Sequence, residues 1–117
     1  VKPPTFTFFA NFPELVDDNF ERYLEGKLRE NFDLSGTPIR LRVSELDVGI
    51  PANTESNWKT QARFYEALFE IYRKHADQID AVHTWGTTDD LSWRRENYPL
   101  LFDGMSQPKP AFYAIVD

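Results

Sequence analysis

Ile39-Arg40-Leu41-Arg42-Val43-Ser44 alternates apolar and polar residues without a break, and that alternation decides the fold class. Successive side chains of an extended chain point to opposite faces, so three apolar side chains cover one face and three polar ones wet the other. Such a strand needs an apolar partner layer, and the sequence supplies one on each side. Upstream, Val16, Phe20, Leu24, Leu28 and Phe32 recur every four residues with Tyr23 beside them, while Asp17, Asp18, Glu21, Arg22, Glu25 and Arg29 take the opposite face. That spacing predicts a helix with one buried stripe, opened by Pro13 and closed by Gly36 ahead of Pro38. Downstream, Trp58, Ala62, Tyr65, Leu68, Phe69 and Tyr72 draw a second helical stripe within 58–76, flanked by Phe64 and Ile71. A loop over 46–56, with Gly49, Pro51 and Asn53, leads into it, and Thr54 or Ser56 offers the capping hydroxyl.

Farther out, Thr5-Phe6-Thr7-Phe8-Phe9-Ala10 after Pro3-Pro4 predicts a first strand, and 79–85 predicts a third. Residues 86–108 form a long polar connection, a length that survives in a small domain where it serves a site. Residues 109–116 close the chain as a short helix with Ala111, Phe112 and Ile115 facing inward. The expected fold is α/β: a small, mainly parallel three-stranded sheet with helices packed on it, in the order β-α-β-α-β-α. Residues 1–117 form a single domain in this reading, with Phe6, Phe8, Phe20, Leu24, Leu28, Ile39, Leu41, Phe64, Leu68 and Val82 as its core.

A chain of 117 residues suffices for one core, but not for a closed eight-stranded α/β barrel of about 250 residues. Its net charge of -6 repels phosphate backbones and anionic lipid headgroups, so neither strong nucleic-acid binding nor membrane association is expected. No apolar run approaches the roughly 20 residues that span a bilayer, and no basic-then-apolar leader is present, so a soluble protein without signal peptide or anchor is expected. With no cysteine there is no disulfide, thiolate nucleophile or thiolate-bound zinc, and His75 and His83 lie outside metal-site spacing. Asp89-Asp90 reads as a capped polar turn rather than a cation site. No metal or cofactor is implied.

Two resemblances divide the chain. Lys2-Pro3-Pro4-Thr5-Phe6, Pro13-Glu14-Leu15-Val16, Phe20-Glu21-Arg22-Tyr23-Leu24-Glu25 and Gly36-Thr37-Pro38-Ile39-Arg40-Leu41 make residues 2–43 similar to the C-terminal KH-like domain of the EngA/Der ribosome-assembly GTPase, the fragment taken as 1–43 of the domain. No GxxxxGK[ST] loop is present, so nucleotide hydrolysis is not implied. Glu45-Leu46-Asp47-Val48, the helix around Gln61 to His75, Trp85-Gly86-Thr87-Thr88-Asp89-Asp90-Leu91-Ser92-Trp93, Pro99-Leu100-Leu101-Phe102-Asp103 and Gln107-Pro108-Lys109-Pro110-Ala111-Phe112 make residues 44–117 resemble the last two β/α units of a family-10 glycoside hydrolase, a xylanase. The second strand thus begins in one family and ends in another, which points to an engineered chimera.

The xylanase resemblance implies that Glu45 matches the nucleophile of the ELD motif and that Trp85 and Trp93 match aromatic positions lining sugar subsites. It also implies that the acid/base glutamate came from an earlier barrel strand, absent here. Asp47 and Asp89 serve other purposes in that family, which leaves Glu45 a relict, inactive nucleophile. Its parity is awkward, because Glu45 shares a face with Ile39, Leu41 and Val43 in a regular strand; either the strand ends or bulges there, or the carboxylate finds a hydrogen-bonding partner, since burying it unpaired is costly. Arg40, Arg42 and Lys2 are the basic residues of the KH-like part, which lacks the GXXG clamp. A folded chimera without biochemical activity is expected, and residual xylan binding or hydrolysis and weak RNA binding stand as alternatives. No partner is required, although open sheet edges make a homodimer an expectation.

Overall fold

The computed structural model describes residues 41–116 and, before them, Asn19, Arg22, Tyr23, Gly26 and Glu30. These five are helical and exposed, in the segment where the first helix is expected. Tyr23 is 58% exposed. The expected first strand at 5–10 lies outside the described residues, as do Phe6, Phe8, Phe20, Leu24, Leu28 and Ile39. Among the described residues the sheet has two strands, not three: β1 (Leu41–Leu46) and β2 (Ile79–Thr84), paired in parallel. Helix α1 (Glu55–Lys74) joins them, and α2 (Pro110–Val116) follows a long connection and packs on α1.

Strand β1 does not stop at Ser44; it runs on through Glu45 to Leu46, and its pairing is uneven. Val43 pairs with Val82 and Leu46 with Thr84, so three steps along β1 match two along β2, the count of a β-bulge. An extra residue inverts the in/out alternation. Val43 packs against the core from above the bulge, Glu45 is exposed, and Leu46, Val48 and Ile50 are buried below it. A second shift, between Leu41 and Arg42, puts the extra residue on β2.

Helix α1 starts at an extended Thr54, whose Oγ1 accepts the Asn57 N–H at 3.3 Å. Glu55 in the first turn and Arg73 and Lys74 in the last complement the helix dipole. Its buried positions are Gln61, Tyr65, Leu68 and Tyr72, the inward stripe of a helix at spacings of three and four, with one polar member. Leu46, Val48, Tyr65, Leu68, Tyr72 and Ala111 form the core cluster, against which Val43, Phe64, Ile79, Val82, Leu101 and Ile115 pack half-buried. Of the expected core residues on described side chains, Leu68 is fully inside, and Phe64 and Val82 sit at its margin. Among the described residues the core also takes in Leu46 and Val48, which belong to the strand and its extension rather than to a free loop.

The connection 86–108 is not structureless. It contains 3-10 turns at Asp89–Leu91 and Arg95–Asn97, and Phe102 bridges both Thr88 and Pro108. Tyr98 takes a left-handed conformation, φ 46°, ahead of Pro99. Arg73 Nη2 donates to the Ile115 carbonyl at 2.6 Å, and the Phe102 and Phe112 rings meet 5.1 Å apart, so both ends of α2 are tied down.

Candidate functional site at the carboxyl ends of the strands

Parallel strands bring their carboxyl ends to one side, and the residues singled out from the sequence collect there. Glu45 stands exposed at the β1 bulge. Trp85 follows β2, donates its backbone N–H to the Leu46 carbonyl at 2.9 Å and leaves its side chain exposed. Trp93 lies in the connection, 69% exposed, and its indole Nε1 donates to Asp47 Oδ2 at 3.0 Å. Arg94 Nη1 donates to the other oxygen of Asp47 at 2.8 Å, and its guanidinium lies 5.8 Å from the centroid of the Trp93 ring. Asp47 thereby anchors the connection to the end of β1, two residues past Glu45. Gly49 is where that contact needs space: a Cβ there would lie 2.7 Å from Arg94 Nη2.

Beneath this surface runs a buried polar network. Gln61, with no exposed surface, donates from Nε2 to the carbonyls of Val48 and Tyr98, both at 2.7 Å. Pro99 offers its carbonyl to the Tyr65 hydroxyl at 2.6 Å and to the Val48 N–H at 3.0 Å. Burial, reinforced by the negative charge of Asp47, pushes the Tyr65 phenol far above its ordinary pKa, so it stays a donor. Asp89 accepts the Leu100 N–H at 2.8 Å on one oxygen and the Lys109 ammonium at 2.9 Å on the other. Lys109 also donates to the Tyr98 carbonyl at 2.9 Å. Burial lowers the pKa of this ammonium, and the Asp89 carboxylate works against that shift.

Asp89 therefore belongs to a buried ion pair, with Asp90 exposed beside it, and among the described residues no cluster of metal-ligating side chains forms. Arg42 is exposed on β1, while Arg40 and Lys2 lie outside the described residues. The sequence reading did not single out Gln61, Arg94 or Lys109. One signal for Gln61 was available: a lone polar residue four positions before Tyr65, on an otherwise apolar helical stripe, must find a buried hydrogen-bonding partner. Among the described residues no helix is long and apolar enough to cross a membrane.

Comparisons with known proteins bear on the same strand ends. The chain is 40% identical over 86 residues to endo-1,4-beta-xylanase A of Thermoanaerobacterium saccharolyticum, an alignment covering 72% of this chain and 7% of that protein. It is separately similar to the GTPase Der of Clostridium novyi (strain NT), 61% identical over 44 residues, which cover 38% of this chain and 10% of that protein. Among solved structures, an intracellular xylanase of Thermoanaerobacterium saccharolyticum superposes with a TM-score of 0.68 at 35% identity, over 85% of this chain and 29% of that one. Sequence of two unrelated families is thus joined here, and the chain spans a small fraction of its xylanase relatives. The family model described as Glycosyl hydrolase family 10 matches residues 17–117, beginning upstream of residue 43 where the motifs change character. Over that span the chain belongs to glycosyl hydrolase family 10.

Proposed function

We propose that this chain is an artificial hybrid that folds but does not hydrolyse glycosides, its seam lying at residues 43–44 within β1. Residues 5–10 supply the third strand of the sheet in this reading, and open strand edges allow two copies to pair. Hydrolysis with retention takes two carboxyl groups about 5 to 5.5 Å apart, one to attack the anomeric carbon and one to protonate the leaving oxygen. Glu45 occupies the position of the first. The observation that supports inertness is the commitment of its neighbouring acids. Both oxygens of Asp47 accept from Arg94 and Trp93, and both oxygens of Asp89 accept from Lys109 and the Leu100 N–H. Neither can deliver a proton to a leaving group without dismantling the connection it holds. Of these three acids Glu45 alone has its carboxyl free to approach a sugar, and neither of the other two supplies the proton that the departing alkoxide needs. A reducing-sugar assay on xylan tests this: intact protein and Glu45→Gln should both stay at the blank, and turnover that disappears on Glu45→Gln overturns the reading.

A second reading, weak binding of xylo-oligosaccharides, is favoured by the geometry of Trp93. Trp93 is 69% exposed while its indole N–H is held by Asp47, so the ring face turned away from the Arg94 guanidinium stands open at the strand ends, where a pyranose ring can stack. Titration of tryptophan fluorescence with xylotriose, repeated on Trp93→Ala, tests it: a saturable change that Trp93→Ala abolishes supports binding, and no change at millimolar sugar ends it.

A further inference from the structure

We infer that Gln61 is a positioning residue that holds the Asp47–Trp93 platform in place. Asp47 and Trp93 come from segments 46 residues apart, the extension of β1 and the long connection. Each segment is joined to Gln61 just past the platform, at the Val48 carbonyl on one side and the Tyr98 carbonyl on the other. One amide nitrogen spends both of its N–H groups on this bridge. The cost is visible in the same side chain, whose Oε1 is buried and has no hydrogen-bonding partner among the described residues. A buried acceptor left unmatched is uncommon, and a residue chosen only to fill the helix stripe would be apolar. The left-handed Tyr98 points the same way, since its carbonyl receives both Gln61 and Lys109 in a conformation that non-glycine residues seldom adopt. Gln61 thereby fixes how far Trp93 stands from the end of β1. The inference rests on the sugar-binding reading only for its consequence in affinity.

The test compares two indoles in the full-length protein. Trp93 Nε1–H is bonded to Asp47, and Trp58 Nε1–H is bonded to Asn53 at 2.7 Å, one turn ahead of Gln61 on α1 and outside the two hydrogen bonds that Gln61 donates. Gln61→Met keeps the volume and removes both donors. The expected result is that the Trp93 indole exchanges with solvent roughly tenfold faster or more and shifts its resonance, while the Trp58 indole is unchanged. Unchanged Trp93 exchange, or equal acceleration of both indoles, overturns the assignment, because the latter reports a general loss of stability. Should Gln61→Met fail to fold, Gln61→Glu serves the same comparison, since a buried neutral carboxyl donates one hydrogen bond where the amide donates two. Xylotriose titration then separates the two ideas: failure of the intact protein to bind removes the sugar reading and leaves the indole comparison standing.

Discussion

Asp89 and Lys109, twenty residues apart in sequence, form an ion pair of 2.9 Å with side chains only 6% and 4% exposed. Through it the start of the long connection is fastened to the residue before α2. A buried pair of this kind shows its importance when one partner is removed, because the surviving charge is stranded away from water.

Asp89→Asn should therefore lower the unfolding free energy by about 3 to 5 kcal/mol, as should Lys109→Met, in urea denaturation near neutral pH. The double variant should be less destabilised than the sum of the two, since it leaves no uncompensated charge. Additive losses would show that the two groups are not coupled.

Tyr65 governs the alkaline limb of stability. Its folded pKa is raised above the ordinary 10.0, so its stabilising contribution is complete below that pH and is lost as pH rises beyond it. While the folded phenol keeps its proton, the slope is about 1.4 kcal/mol per pH unit. Lys109, with its folded pKa lowered from 10.5, works in the opposite sense: its contribution improves as pH climbs toward the ordinary value. Tyr65→Phe should cost about 0.5 to 1.5 kcal/mol at neutral pH through the lost bond to Pro99 and should flatten the decline above pH 10. Parallel stability curves for the two proteins between pH 9 and 11 would contradict this.

The bulge in β1 assigns opposite fates to adjacent residues. Leu46→Ala removes a side chain that is 7% exposed, in the core cluster, and should cost about 2 to 5 kcal/mol. Glu45→Ala should fall within about 0.5 kcal/mol of the unaltered protein. Thermal and urea unfolding of both variants read this directly, and a large loss from Glu45→Ala would mean that the regular alternation persists through residue 45.

Gly86 has φ 125°, and a Cβ there would lie 2.9 Å from Leu100 Cδ1. Gly86→Ala should cost about 1 to 3 kcal/mol, through backbone strain together with displacement of fully buried Leu100. The melting temperature reports it, and an unchanged value would show that the turn relaxes freely.

Much of the fold was legible because two periodicities dominate the chain. The stripe of Tyr65, Leu68 and Tyr72 defined α1, the run 79–85, one residue longer than the strand itself, defined β2, and Ala111 and Ile115 defined the inward face of α2. The Thr54 cap was one of the two hydroxyls expected. The parity of Glu45 pointed to a strand end, a bulge or a partnered carboxylate at that position, and choosing the bulge took the register, since pattern alone cannot say which of the three relieves an acid at an apolar position of a regular strand. The connection 86–108 read as irregular because its order comes from side chain to backbone hydrogen bonds, donated by Gln61, Tyr65 and Lys109 or accepted by Asp89, which leave no periodic trace. The candidate site was half legible. Glu45, Trp85 and Trp93 follow from family motifs, but the bridge of Asp47 to Trp93 and Arg94 joins residues that only the folded chain makes neighbours.

With the seam proposed at residues 43–44, the register shift between Val43 and Leu46 also bears on how sequence from two lineages would share one strand. Inward positions are odd-numbered at Val43 and even-numbered at Leu46, Val48 and Ile50. The extra residue acts as a phase shifter: a donor spliced ahead of it has to match only the odd rhythm, and everything after keeps its own. Deleting Ser44 would remove that slack and set Val43 and Leu46 two positions apart opposite Val82 and Thr84, where a single regular alternation keeps both inside and Glu45 outside, so the bulge would vanish while the core stays filled.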